Sequence, residues 1–325
     1  MEWKSVAELK ALPSENRIGF CGIFLLRKAD VRKTRTGSDF LILELGDKTG
    51  SFRANCWGDS SGFELLKGVP AGAIVEVEGQ TDTYNDAFSP KLHKFALIDP
   101  ESAAIDGYLD RLVASSPLDP QLLWEEIQEA VITIEPESLR TTVSLALEDH
   151  ESLFRTSPAA ISMHHAYRSG LLEHTTRMVR CAQALLSHYP EVHPGLTLAG
   201  IILHDMGKIF EYSQGLATGK TREGILQGHV VLGYRVARKA AMQSRLSPEL
   251  TERLEHVILS HQGELEWGAA VKAATPEAVF VSMIDNLDAK MGMVQEALRT
   301  TPEDQEFSEY IPGLGAPVLN LKPEA

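Results

Sequence analysis

The chain has 325 residues, 43% of them hydrophobic and 23% charged, an ordinary globular composition with material for two domains. A formal net charge of -14, lying almost wholly after residue 100, excludes polyanion binding through long-range field alone; a nucleic-acid partner needs a local basic patch, or metal ions set against phosphate. Three widely spaced cysteines argue against a disulfide framework, no apolar run reaches the about 18 residues of a membrane span, and the start lacks a basic-then-apolar leader, so a cytoplasmic protein is expected.

Residues 14–100 read as an all-β domain. Leu41, Leu43 and Leu45 alternate with Ile42 and Glu44, and Val75, Val77 and Gly79 alternate with Glu76 and Glu78. Turn signals at Gly37-Ser38, Asp47-Lys48-Thr49-Gly50 and Asn85-Asp86 separate the runs, and about five short strands predict a small closed barrel. Arg27, Lys28, Arg32, Lys33 and Arg35 form a basic patch within an acidic chain, with Arg53 a further phosphate candidate. Single strands are held by stacking bases on aromatic rings beside such a patch. Of Phe20, Phe24, Phe40, Phe52, Trp57, Tyr84 and Phe88, most are expected in the barrel core; Phe40, Tyr84 and Phe88, near turns, are the stacking candidates. The alternative for the patch is a solvated loop.

The period then changes. Residues 101–157, with "QLLWEEIQEAVITI" and "ESLRTTVSLALEDH", repeat apolar residues at three and four and predict a helical spacer. Pro117 to Pro120 and Glu135-Pro136 mark helix starts or turns. Residues 158–298 predict an all-α domain. Residues 299–325, with three prolines and two glycines in the stretch 309–325, read as an extended tail, which is expected to lie on a neighbouring subunit in a homo-oligomer.

The histidines concentrate between His150 and His261. His174 lies three after Leu171 and four before Met178; His229 lies three before Leu232 and seven before Val236. On helices both point into a core, where an imidazole needs a hydrogen-bond partner or a metal. One such residue is ordinary core. Together with His204, Asp205, His256, His261 and Asp285 the set predicts shared divalent cations. Imidazole plus carboxylate suits manganese, iron, zinc, nickel and cobalt, with magnesium behind them. Helix neighbours diverge by about 100°, so His204 and Asp205 converge only where a helix ends, which Gly207 permits. The two oxygens of Asp205 could bridge two ions. Helical phase places His261 on the Leu254/Val257/Ile258 stripe.

"HHAYRSGLLEHT" (164–175), "LHDMGK" (203–208), "GHVVLGYRVA" (228–237), "HVILSHQG" (256–263) and "IDNLDAKM" (284–291) resemble, in order and spacing, the HD-domain metallophosphohydrolases. With the barrel in front, the chain over about residues 14–295 resembles the YhaM-type 3′-to-5′ exoribonucleases, whose first domain is an OB-fold. The fold class this implies is multidomain: an N-terminal all-β OB-fold barrel followed by an all-α HD domain. The resemblance implies that His174, His204, Asp205 and Asp285 hold a first ion, and that Asp205, His229 and His256 hold a second, with His261 near it. His256 ranks ahead of His261 by family order. Where the family often has two adjacent histidines, this chain has His261-Gln262; the paired glycine is Ser169-Gly170.

Asp205, Lys208 and His165 are the catalytic candidates. Lys208 is expected at a substrate phosphate, the alternative being a cation at a helix C-terminus. His165, with His164, would line the entrance or donate to the leaving oxygen, a loop-packing role being the alternative. Glu211 reads as exposed and Asp288 as solvated. The activity implied is metal-dependent 3′-to-5′ hydrolysis of single-stranded RNA, and of single-stranded DNA, to nucleoside 5′-monophosphates, with one or two ions, manganese first. The alternatives are a phosphohydrolase acting on a nucleotide or cyclic dinucleotide, an iron-loaded oxygenase and a non-catalytic single-strand-binding protein.

Overall fold

The computed structural model describes residues 3–12, 17–84, 87–99, 109–113, 115–160, 167–213, 216 and 219–321. The chain divides into two compact units, residues 1–115 with 214–218 and residues 116–213 with 219–325.

The first unit opens with α1 (Val6–Lys10), started by a Ser5/Glu8 capping box. Its sheet is built from β1 (Gly19–Lys33), β2 (Asp39–Asp47), β3 (Gly50–Trp57), β4 (Ile74–Gln80) and β5 (Lys91–Ile98), with α2 (Ser61–Leu66) between β3 and β4. All ladders are antiparallel, in the order β3-β2-β1-β4-β5. β1 is long enough to serve two neighbours: Gly19–Leu25 pairs with β4, and Leu25–Lys33 pairs with β2. A bulge between Leu26 and Lys28 bends it between the two. The alternating apolar residues converge on one core holding Phe20, Phe24, Leu41, Leu43, Leu45, Phe52, Val75 and Val77. Among the described residues no ladder joins β3 to β5; α2 touches both strands, and Gly62 lets it lie on the Phe95 ring, where a Cβ would fall 2.3 Å from that ring. This is the partly open five-stranded barrel of an OB-fold, rather than a fully closed one.

The second unit is helical: α3 (Pro120–Ile132), α4 (Glu137–Glu148), α5 (Glu151–Thr156), α6 (Gly170–Leu185), α7 (Pro194–Leu203), α8 (Lys208–Glu211), α9 (Arg222–Ser244), α10 (Pro248–Ser260) and α11 (Pro276–Thr300). Four of them start with an N-cap acceptor followed by proline: Asp119-Pro120, His193-Pro194, Ser247-Pro248 and Thr275-Pro276. α7 is buried at every position from Gly195 to Leu203, as befits a helix apolar on all sides. Around it lies one core that includes Leu123, Ile127, Leu139, Val143 and Phe154 as well as Leu171, Met178, Val257 and Ile284. The helices set apart as a spacer over 101–157 therefore share, from Pro120 onward, the core of the helices that follow. Beyond α11, the described residues form no further helix or strand; isolated bridges join Phe307 to Leu319 and Ile311 to Ala316. Among the described residues no helix is long and apolar enough to cross a membrane.

Candidate metal centre and nucleic-acid face

The central helix α7 delivers the His204-Asp205 pair. It stops at Leu203, and residues 204–207 form turns before α8, so the two side chains need not diverge as helical neighbours do. Gly207 is required for closeness rather than for an unusual φ. A Cβ there would lie 1.9 Å from the His229 carbonyl oxygen and 2.5 Å from the Gly233 nitrogen. That contact brings α9 onto the turn. Gly228, at φ +70°, breaks α9 just before His229 and sets this histidine at the start of the second helical segment. α6 contributes His174, α10 ends at His261, and α11 contributes Asp285 and Asp288 one turn apart.

Two ligand groups result: His174, His204 and Asp285, and Asp205, His229 and His261; in each the ligand atoms lie within 4.8 Å of one another. Asp205 faces both. Its Oδ2 is 3.2 Å from His204 Nε2 and 3.7 Å from His174 Nε2, while its Oδ1 is 3.6 Å from Nε2 of both His229 and His261. Those last separations exceed hydrogen-bond reach, and Oδ1 is buried without a partner. A buried carboxylate oxygen without a hydrogen bond, set between two imidazoles, is a donor arrangement that fits a cation.

The imidazole tautomers fit it too. Nδ1 of His174 is 2.7 Å from Asp288, and Nδ1 of His229 is 2.7 Å from Glu211. His204 and His261 both cap a helix C-terminus, each sending Nδ1–H to a carbonyl three residues back, at 2.6 Å to Ile201 and 2.7 Å to Ile258. Each ring therefore turns Nε2 toward the others, the arrangement by which outer partners orient metal-binding histidines.

Burial opposes ionisation throughout, yet the charges win. Burial raises the Asp205 pKa, but Lys208 and His204 outweigh it and hold the carboxyl well below its ordinary value. Burial likewise raises Asp285, and the His174 hydrogen bond brings it down to about 2. Burial lowers His174, and its hydrogen bonds to the carboxylates of Asp285 and Asp288 push it up to about 10. Glu211, resisting burial through His229 and Lys220, falls to about 2.

Placement of the remaining candidates is mixed. His256 is in neither group; its Nε2 accepts from the Ala274 N–H at 2.8 Å, so helical phase rather than family order picks out His261. Lys208 is buried, opens the one-turn helix α8 and pairs with Asp205 Oδ2 at 2.6 Å. His164 and His165 lie outside the described residues. Three residues that the sequence reading passes over or misplaces join the site. Asp288, read as solvated, and Glu211, read as exposed, are both buried and hold Nδ1 of His174 and His229. Gln262 reaches both His229 and His261.

On the first unit, the register sets a three-by-three grid on the outward face of β1, β2 and β3. Arg32, Phe40 and Trp57 form one row, Asp30, Ile42 and Asn55 the next, and Lys28, Glu44 and Arg53 the third. Phe40 lies on Trp57 with ring centroids 5.1 Å apart, and Trp57 is 51% exposed. Lys28 and Arg53 are exposed but pair with Asp30 and Glu44 at 2.7 and 3.6 Å. Arg27 stands at the bulge and donates to the Asp47 carbonyl; Lys33 and Arg35 are exposed at the β1–β2 turn. Phe88 is not a free platform: it packs on the core, edge-on to Phe52 at 5.7 Å. Tyr84 lies in a two-residue strand, and its side chain is outside the described set.

Residues 171–290 match the family model of the HD domain. The 3′-5′ exoribonuclease YhaM of Shouchella clausii is 34% identical over 293 residues, 90% of each chain. That of Halalkalibacterium halodurans is 34% identical over 288 residues, 89% of this chain and 88% of the relative. That of Listeria monocytogenes serotype 4b is 32% identical over 294 residues, 90% and 92% respectively.

Proposed function

The chain belongs to the YhaM family of 3′-5′ exoribonucleases, and on that premise we propose that it is a metal-dependent hydrolase shortening single-stranded RNA from its 3′ end to nucleoside 5′-monophosphates. The observation that carries this reading is the pair of ligand groups with Asp205 facing both, one of its buried oxygens having no hydrogen-bond partner.

His174, His204, Asp285 and Asp205 would hold one divalent ion; Asp205, His229 and His261 would hold the other, with manganese placed first for this imidazole and carboxylate set. Bound there, such ions supply a nucleophilic water at neutral pH and offset charge on the scissile phosphate. The chain's own groups do the rest. Asp288 and Glu211 fix two of the rings. Lys208 keeps its charge, because Asp205 outweighs the effect of burial and raises its pKa. It is thus a cation within the site, available to a phosphate oxygen as negative charge grows. The Phe40–Trp57 pair, with Arg32 beside it, is suited to hold bases upstream of the reacting end. Exposed Val279, Met283 and Leu287 on α11, with Phe307 and Tyr310 in the tail, give apolar surface for a homo-oligomer. Single-stranded DNA as a second substrate and a cytoplasmic location complete the proposal.

The test is digestion of 5′-labelled RNA and DNA by protein stripped of metal and reloaded with manganese or magnesium. Metal-dependent ladders that shorten stepwise from the 3′ end are expected. A single internal cut, or activity indifferent to chelation, would overturn it.

A further inference from the structure

Gln262 follows the last turn of α10, and Gly263, at φ +79°, turns the chain away immediately after it. The backbone at this position is thereby set, and the carboxamide reaches into the second ligand group. Its Nε2 lies 3.3 Å from His229 Nε2 and 3.0 Å from His261 Nε2. Both imidazoles commit Nδ1–H elsewhere, so both offer a lone pair at Nε2. An amide NH2 has two hydrogens for two acceptors, whereas the amide oxygen in that place would face two lone pairs. The hydrogen-bond pattern therefore fixes which end of the carboxamide points inward.

The amide hydrogens stand in for a cation: they occupy the two lone pairs that would coordinate one. At the first group the comparable contact is between the imidazoles themselves, His174 to His204 at 3.3 Å. We propose that Gln262 governs occupancy of the second ion position, its NH2 holding His229 and His261 in the metal-free state and its carboxamide turning over to offer Oε1 when the second ion binds. The proposal rests on the metal-centre reading above. Its consequences are separate from it: the second ion binds more weakly than the first, because it must displace two hydrogen bonds. It also gains a neutral oxygen ligand where a third imidazole would otherwise stand, which favours oxygen-preferring ions there.

The experiment titrates metal-stripped protein with zinc, a diamagnetic probe, following heat and the 15N-resolved side-chain amides together. Gln262→Glu identifies the Gln262 amide signal by its absence. In the natural chain two steps are expected, the second at least about tenfold weaker, which is a binding difference of about 1.4 kcal/mol. The Gln262 amide signal should hold still through the first step and move with the second. Gln262→Glu, which has equal reach but no hydrogens to give the imidazoles, should strengthen the second step by tenfold or more and leave the first unchanged. Gln262→His, a second variant with its own donor atom, should do likewise. An amide signal that follows the first step, or does not respond at all, overturns the proposal, as does a second step that stays within twofold of the natural chain in both variants. Absence of any first step in the natural chain would instead defeat the metal-centre reading itself.

Discussion

Asp288 supplies no atom to either ligand group, yet it settles which nitrogen His174 presents. Its carboxylate holds Nδ1 at 2.7 Å and so turns Nε2 toward His204 and Asp285. Asp288→Asn keeps the volume but removes the charge that orients the ring. First-ion affinity should weaken by about 10- to 100-fold, read by metal titration, with the protein still folded. The sequence holds a sign of this role that the solvated reading overlooks: Asp288 is three residues after Asp285, hence on the same helical face. Phase is also what separates His261 from His256, for three apolar neighbours on α10 point the same way as His261. Glu211 was not legible. Its partner His229 is 18 residues on, across a break that no local pattern announces. Ligand types and helix faces can be read from sequence, whereas hydrogen bonds between helices need the packing.

At the scale of elements, the site depends on how closely α9 approaches the turn after α7. Gly207→Ala places a methyl group against backbone atoms of His229 and Gly233, which have no rotamer to yield. The helix must move, at a cost of about 3 kcal/mol, as for overpacked cores generally. Thermal unfolding should drop accordingly, and ion binding by the His229 group should fall more than binding by the His174 group. An unchanged melting temperature would mean that the turn is looser than this packing requires. The apolar run of α7 and its end at His204 were legible, because a helix apolar on every side has to be buried. The place of α3 and α4 was not. Leu123, Ile127, Leu139 and Val143 announce a covered face, but an amphipathic stripe does not say which core covers it.

For the whole molecule, the proposed function would divide holding from cutting along the charge distribution. Most of the excess acid lies in the residues after 100, which also hold the proposed centre whose cations would answer phosphate locally, while the basic residues of β1 and β3 belong to the other unit. Hold and cut should then separate in the kinetics. Phe40→Ala combined with Trp57→Ala removes the stacked pair from an exposed face and leaves Leu41, Leu43 and Cys56 of the core in place. Stacking contributes about 1–3 kcal/mol per base, so binding of a long single strand should weaken at least about tenfold. Hydrolysis of a small activated phosphodiester, which spans no barrel, should keep its rate. Raising salt should narrow the difference between long and short strands by screening Arg32, Lys33 and Arg35, and should leave the small diester untouched. If the double variant slows the small diester as much as the long strand, the barrel face acts on the chemistry, and the division proposed here between holding and cutting fails.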